Sequence, residues 1–268
     1  MPELPEVETV ARGLRQELVG RTITGVEVRW ERSIGAPDPV AFAERLVGRA
    51  VTGVGRRGKW IVMELDSGEV LLAHLRMTGQ LLVEAAEAAK GEYTRVVMEL
   101  DDGRRLRFAD MRKFGRLMLT EEAGDVLGDL GPEPLGEEFT AERFRRMLAE
   151  RRGRIKSLLL NQRFLAGLGN IYVNEALWQA GVHPLRPGNG LSPAEAEKLY
   201  EAIRAVLRDA IEEGGFRQAD GEAGAFAGEL QVYGREGDVC VCCGAVIERI
   251  TVGQRGTYVC SRCQPPPE

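Results

Sequence analysis

Residues 240–263 read CVCCGAVIERITVGQRGTYVCSRC and hold all five cysteines of the chain. Cys240 and Cys243 form one Cys-x2-Cys pair, and Cys260 and Cys263 form a second after sixteen intervening residues. Each pair turns two thiolates toward one point, and two such knuckles complete a tetrahedral zinc site with no open position. The expectation is one structural Zn2+ held by Cys240, Cys243, Cys260 and Cys263 in a β-hairpin ribbon. Two chance pairs or a redox couple are the alternatives, and the doubled spacing disfavours both. Cys242 is left as a free thiol inside the first knuckle or a competing ligand. Gly253-Gln254-Arg255-Gly256-Thr257 reads as the hairpin tip, which projects Arg255 into solvent. On composition alone, a solvated tip arginine is the plainer reading.

Upstream of the ribbon the pattern is helical. Ser192-Pro193-Ala194-Glu195 opens a helix with a capping box and proline at its first position; Leu199, Ile203, Leu207 and Ile211 form its inner face, and Gly214 stops it. Earlier helices are expected to start after Gly167-Leu168-Gly169-Asn170, over about 155–161, and at Thr140, with Phe139 and Phe144 as a hydrophobic staple. The acidic, Gly/Pro-bearing stretch 124–138 reads as a linker, residues 215–230 as a mobile loop, and the last few residues as frayed. Residues 3–18 form an amphipathic helix, with Glu3, Glu6 and Glu8 where the helix dipole favours acids. From about 21 to 119 the hydrophobic period is two, with hairpin turns at Asp66-Ser67-Gly68 and Asp101-Asp102-Gly103. The expected architecture is multidomain α+β: a β-sandwich with an N-terminal helix over 1–123, a linker over 124–138, helices over 139–214, a loop over 215–230 and the zinc ribbon over 231–265.

Composition narrows the function classes. The 268 residues are 44% hydrophobic and 29% charged, as in ordinary globular proteins. No stretch approaches the run of about 20 apolar residues that crosses a membrane, and the N-terminus carries no signal-peptide pattern, so a cytoplasmic protein is expected. Net charge is −5, which alone argues against a nucleic-acid partner. The charges are segregated, however. Residues 120–142 carry eight acids and no base, residues 104–116 six bases and one acid, and residues 151–174 five bases and no acid. Total charge is therefore a poor guide to partners.

The first residues carry the chemistry. If Met1 is removed, Pro2 presents a secondary amine, and α-amino groups titrate near 7.7–8.0, so part of it is unprotonated at neutral pH. Such an amine attacks an aldehyde-level carbon and forms an iminium, an electron sink; Glu3 and Glu6 beside it could shuttle protons. Taken alone, an ordinary first turn with proline and acids is the simpler reading.

MPELPEVET at 1–9 resembles the N-terminal signature of the formamidopyrimidine-DNA glycosylases. Arg56-Arg57-Gly58-Lys59, His74-Leu75-Arg76-Met77-Thr78-Gly79, Asp110-Met111-Arg112-Lys113-Phe114-Gly115, Gly167 to Tyr172, Gln231 to Arg235 and the four-cysteine ribbon are similar to family segments in the same order. The resemblance spans nearly the whole chain. It implies a β-sandwich, a helix–two-turn–helix domain and a zinc ribbon, acting as a bifunctional glycosylase and abasic-site lyase on oxidised purines, with damaged double-stranded DNA as partner, no membrane, a monomer, and the bacterial cytosol as its place.

By the same resemblance, Pro2 is the nucleophile at C1′, Glu3 the acid/base, Lys59 the proton donor of β-elimination, and Arg255 the arginine of δ-elimination. Lys156 and Asn170 are implied phosphate clamps, with Arg112, Arg151, Tyr93 and Tyr172 as further DNA contacts. Met77, Arg112 and Phe114 are implied to fill the gap left by a flipped base, which calls for an apolar wedge and a donor to the orphaned partner. The plainer alternatives are Met77 and Phe114 in the core, Lys59 as a solvated strand-end lysine, Asn170 as a mere helix cap and His74 as a satisfied structural histidine.

The sequence departs from the family in four places. The segment 216–225 is short and Ala/Gly-rich, Tyr93 stands near a histidine position, Val239 replaces a proline, and Met111 and Lys113 replace Pro and Arg. Two rival functions remain. One is an endonuclease VIII-type enzyme for oxidised pyrimidines, whose start reads MPEGPE and which lacks the wedge. The other is a non-catalytic DNA-binding zinc protein on the same scaffold.

Overall fold

The computed structural model describes residues 2–88, 91–215 and 230–267. The chain divides after Asp129 into two compact units. In the first unit, helix α1 (Leu4–Leu18) begins at N-cap Glu3 with a capping box and buries Val7, Ala11, Leu14 and Leu18. Then follow β1 (Ile23–Val28), β2 (Ile34–Ala36), α2 (Pro39–Leu46), β3 (Val51–Arg57), β4 (Trp60–Leu65), β5 (Val70–His74), β6 (Gly79–Ala85), β7 (Thr94–Leu100), β8 (Arg104–Asp110), β9 (Arg116–Thr120) and a short α3 (Gly124–Leu127). Two sheets form, in the orders β1-β7-β8-β6 and β2-β9-β5-β4-β3. Every pairing is antiparallel except β2 with β9.

One core joins both sheets to α1 and α2 through residues such as Phe42, Ile61, Met63, Met98 and Phe108. This is the expected sandwich. Full burial of each such side chain is worth about 1.5–3 kcal/mol. The turns at 66–68 and 101–103 lie between β4 and β5 and between β7 and β8, as their Asp/Gly content dictates. Helix α2 was not anticipated, although Asp38 caps it by accepting from Val40 N and Ala41 N, and Pro39 opens it.

The second unit holds α4 (Ala141–Ala149), α5 (Ile155–Leu160), α6 (Asn170–Gln179), α7 (Pro193–Glu212), β10 (Glu248–Val252) and β11 (Arg255–Val259). Thr140 caps α4 and the Phe139 and Phe144 rings meet edge-on at 5.4 Å, as expected. Ser192 and Glu195 close the expected capping box of α7. Helix α6 is buried almost all round: Ile171 to Leu177 are all buried, the polar Asn174 and Glu175 among them.

The stretch 130–138 is not a free tether. Gly131 N donates to Gln162 O, Ala166 N to Pro132 O, and Arg204 donates to the carbonyls of Pro134 and Gly136. Residues 265–267 are exposed and lie outside regular elements. The loop expected over 215–230 lies, for residues 216–229, outside the described residues, as do Met1 and Glu268.

Candidate active site and nucleic-acid interface

In the first unit, Pro2 is half-buried immediately before the N-cap of α1. Glu3 is 2% exposed. Its backbone N–H donates to Glu6 Oε2 at 2.7 Å, so the Glu6 carboxylate is committed to the capping box. Glu6 therefore loses standing as a second acid. Lys59 follows Gly58 (φ +57°) in the two-residue turn that joins Arg57 to its strand partner Trp60. A turn-tip lysine is ordinarily solvated, yet Lys59 is 7% exposed, so the solvated alternative fails.

This turn is braced from α1. Arg56 donates to Gly58 O and to Glu8 Oε2, at 2.9 and 3.0 Å. Burial works against the charge on Glu8, but hydrogen bonds from Arg12 and Arg56 hold its carboxyl below the usual range. Sequence reasoning assigned neither Glu8 nor Arg56 this role; their separation of 48 residues gives no local signal.

His74 is the structural histidine it was expected to be. Its Nδ1 accepts from Arg76 N at 3.0 Å, and its ring meets Trp60 edge-on at 4.9 Å. Burial, aided by the charges of Arg76 and Lys59, pushes its pKa down to about 3, so it stays neutral.

The wedge candidates are in contact with one another and exposed. Met77 is 43% and Phe114 49% exposed. An Arg112 guanidinium nitrogen lies 2.9 Å from the Met77 sulfur, and its carbon stands 4.9 Å from the Phe114 ring centre. The core-packing alternative is thereby excluded. Buried Asp110 ties together the two loops that carry them, residues 75–78 between β5 and β6 and residues 111–115 between β8 and β9. Its Oδ1 accepts from Arg112 N and the Thr78 hydroxyl, and its Oδ2 accepts from Gly115 N at 2.7 Å. Arg116 adds a hydrogen bond to Gly115 O at 2.8 Å.

Arg76 (φ +57°) and Lys113 (φ +61°) both occupy the left-handed region. Such non-glycine residues store strain that the surroundings must hold in place. The Lys113 ammonium lies 4.1 Å from the Trp30 ring centre. Tyr93 is 41% exposed, and its carbonyl accepts from Asp110 N. The basic run 104–116 is partly spent internally, since Arg104 pairs with Asp102 and Glu17, and Arg105 and Arg107 share Glu84.

In the second unit, the four cysteine sulfurs lie within 4.8 Å of one another. The Cys240–Cys263 and Cys243–Cys260 sulfur separations are 3.8 and 3.4 Å. Zinc–sulfur bonds of about 2.3 Å require tetrahedral edges of about 3.8 Å, so this donor set fits one Zn2+. Exposed Cys242 stands outside the four. Buried Gln264 fastens the second knuckle, accepting from Cys260 N and donating to Val182 O.

Arg255 is exposed, as expected, and starts β11 directly after the Gly253–Gln254 turn, both at positive φ. Arg151 is also exposed. Two expectations do not survive. Lys156 has no exposed surface; its ammonium donates to Thr257 Oγ1, Gly256 O and Asn174 Oδ1 at 2.7, 3.2 and 3.4 Å. A buried ammonium with three internal acceptors is not presented to a phosphate. Tyr172 is 1% exposed and its ring belongs to the core, because α6 is a central helix.

Asn170 is the first residue of α6, but Gly169 is the N-cap, and Asn170 Nδ2 reaches across to Gly256 O at 3.0 Å. It is therefore more than a cap. Glu175 was missed in the sequence. Its buried carboxylate accepts from the backbone N–H groups of Gln231, Val232 and Tyr233. Burial nevertheless raises its pKa above the ordinary carboxylate value.

Family models match along the chain. The formamidopyrimidine-DNA glycosylase N-terminal domain covers residues 1–117, the formamidopyrimidine-DNA glycosylase H2TH domain 130–220, and a zinc finger found in FPG and IleRS 237–266. The chain belongs to the formamidopyrimidine-DNA glycosylase family. A family member from Herpetosiphon aurantiacus is 48% identical over 272 residues, covering 98% of this chain and all of that one. Another, from Symbiobacterium thermophilum, is 47% identical over 277 residues, covering 100% and 90%.

Among solved structures, a Lactococcus lactis family enzyme bound to Fapy-dG-containing DNA superposes with TM-score 0.92 at 36% identity, covering 98% of this chain and all of that chain. MutM bound to DNA containing carbocyclic 8-oxo-G gives 0.93 at 37%, covering 99% and 100%. No helix among the described residues is long and apolar enough to cross a membrane.

Proposed function

We propose that this protein is a bifunctional DNA glycosylase and abasic-site lyase of base excision repair, acting on oxidised purines in damaged duplex DNA. The observation that carries this reading is the exposed cluster in which Arg112 touches both Met77 and Phe114, carried on two loops that Asp110 ties together. Exposing two large apolar side chains is unfavourable in water and is repaid when they enter a base stack. The endonuclease VIII-type rival lacks that wedge. The non-catalytic rival gives no reason for Pro2 and Glu3 at the start of α1 or for a buried lysine in the β3–β4 turn.

The assigned chemistry follows. With the lesion flipped out and Met1 absent, the Pro2 nitrogen attacks C1′ while the C1′–base bond breaks and the base leaves protonated. Glu3 exchanges the protons of sugar opening. The resulting iminium acidifies the C2′ proton; its removal expels the 3′ phosphate, and Lys59 serves as proton donor. A second elimination then expels the 5′ phosphate, with Arg255 neutralising it. Asn170, Arg112, Arg151 and Tyr93 contact DNA. The N-terminal N–H groups of α6 beside Asn170 are suited to a phosphate. Residues 1–123 are the catalytic part, 124–138 the connection, 139–214 the helical DNA-binding part, 215–230 the lesion loop and 231–265 the zinc ribbon. The protein works as a monomer in the cytoplasm.

Borohydride trapping tests this on duplexes carrying 8-oxoguanine, a formamidopyrimidine or a dihydropyrimidine. Covalent capture on the two purine lesions is expected, in material whose intact mass lacks Met1. Preference for the dihydropyrimidine would favour the endonuclease VIII-type rival, and absence of any adduct the non-catalytic one. Glu3→Gln should lose base excision while retaining cleavage at a preformed abasic site.

A further inference from the structure

Lys156 is the largest fully buried charged side chain in the described residues. Among the described residues its ammonium donates to three acceptors, and these acceptors lead to Arg255. Thr257 Oγ1 accepts from Lys156 Nζ and itself donates to Arg255 O at 3.0 Å. Gly256 O accepts from both Lys156 Nζ and Asn170 Nδ2. Asn174 Oδ1 accepts from Lys156 Nζ and from Tyr258 N at 2.8 Å. Residues 256–258 are thus held from α5 and α6, and Arg255 O is tied to them through the Thr257 hydroxyl, while the Arg255 side chain stands in solvent. A charge is retained in so dry a place only where every hydrogen is paired.

We propose that Lys156 is a positioning residue for Arg255, acting through the Thr257 hydroxyl and the Gly256 carbonyl, and that it sets the partition between one and two eliminations. This rests on the reading of Arg255 given above. After the first elimination the unsaturated sugar remains bound to Pro2. The second removes the C4′ proton and breaks the C5′–O bond, and the 5′ phosphate leaves with the electron pair. The Arg255 guanidinium stabilises that leaving charge only if it stands in the right place. A displacement of about 1 Å in a charge-stabilising group can cost up to about a hundredfold in rate.

Lys156→Met tests the proposal. It keeps the apolar stem, and each former acceptor keeps a second interaction: Tyr258 N for Asn174, Asn170 for Gly256, and Arg255 O for the Thr257 hydroxyl. Zinc stoichiometry and the salt dependence of duplex binding should match wild type. The singly eliminated product should accumulate, and the doubly eliminated product should fall about tenfold. An unchanged product ratio overturns the proposal. So does a salt slope reduced by about one, which is the mark of a lost phosphate contact.

If Lys156→Met sheds zinc, Thr257→Val removes only the relaying hydroxyl and must shift the ratio in the same direction; a wild-type ratio there also overturns it. Arg255→Gln separates the two readings. Should it leave the second elimination intact, the role given to Arg255 fails. Positioning is then read from amide hydrogen exchange at Gly256 and Thr257, which Lys156→Met must accelerate and a lysine without that role would leave unchanged.

Discussion

The wedge loop, made of residues 75–78 and 111–115, and the hairpin over residues 248–259 both display exposed side chains on a stiff backbone, but they are stiffened by opposite means. In the loop, a buried acid and a neutral histidine do the holding: Asp110 takes two backbone N–H groups, and His74 takes one from Arg76. In the hairpin, a buried base does it, with Lys156 donating to two acceptors on β11 and one on α6. The electrostatic logic follows from which backbone group is left over. The loop offers unpaired N–H groups and needs acceptors, whereas β11 offers carbonyl and hydroxyl oxygens and needs donors. In both regions the tool is exposed and the holder is buried, so a charged residue in a functional motif is as readily the holder as the tool.

The largest test of that contrast removes metal. The ribbon's own core is small, built around Val232, Ile247 and the cysteines. Metal binding free energy in such modules, about 10–16 kcal/mol for finger peptides, is folding free energy. Chelation should therefore unfold the hairpin and abolish DNA binding while the sandwich, with its separate core, still melts cooperatively. Cys240→Ser should lower zinc content and Cys242→Ser should not. Equal loss in both would mean that the ligand set is misassigned.

The next test compares holder with tool inside the hairpin. Lys156→Ala leaves a cavity and strips the hydrogen bonds of a buried ammonium, a change costing about 2–5 kcal/mol. Arg255→Ala should leave the melting temperature near wild type, because the side chain is solvated. Similar melting temperatures for the two variants would mean that Lys156 is no more a holder than Arg255.

How much of this could be read beforehand depended on range. Hairpin turns, caps and the cysteine knuckles are written in residues two to four apart, and those readings agree with the structure. Helix α2 had the same local marks at Asp38 and Pro39, but its short run lay inside a segment dominated by period two, which hid it. The exposure of Met77 and Phe114 was open in the sequence, since a strand-end Phe is ordinarily core. Burial of Lys156 was not legible at all. Two of its partners, Gly256 and Thr257, lie 100 and 101 residues away, and a lysine in a basic run reads as a surface charge. The same holds for Glu175, whose three N–H partners lie 56 to 58 residues on.

Within the loop the effects should be smaller. Asp110→Asn replaces one accepting oxygen with a donor facing backbone N–H groups, which costs about 1–3 kcal/mol. Met77→Ala should cost within about 0.5 kcal/mol, since the side chain is exposed. Excision should reverse the order of damage. Met77→Ala should impair excision from paired duplex while sparing nonspecific binding, and the defect should shrink when the lesion lies in an unpaired region, where less unstacking remains to be offset. A sharply lowered melting temperature for Met77→Ala, with excision by the folded fraction unchanged, would mean that Met77 serves stability and is not a wedge.

A modest pH dependence also separates the two regions. His74 titrates near 3 when folded and near 6.5 when unfolded, because the folded site is dry and faces the positive charges of Arg76 and Lys59. Between those values the unfolded chain binds the extra proton. Stability from His74 is therefore complete above about pH 6.5 and is lost progressively as pH falls toward 3. From pH 7 to 5.5 the loss should be about 1 kcal/mol. His74→Asn supplies an oxygen that can accept the Arg76 N–H but does not titrate. Chemical denaturation of both proteins over pH 7 to 5.5 should show the wild type losing more stability than the variant, with the difference confined to the sandwich. Parallel curves for the two would mean that the loop does not depend on a neutral histidine, and the contrast between an acceptor-held loop and a donor-held hairpin would then rest on Asp110 alone.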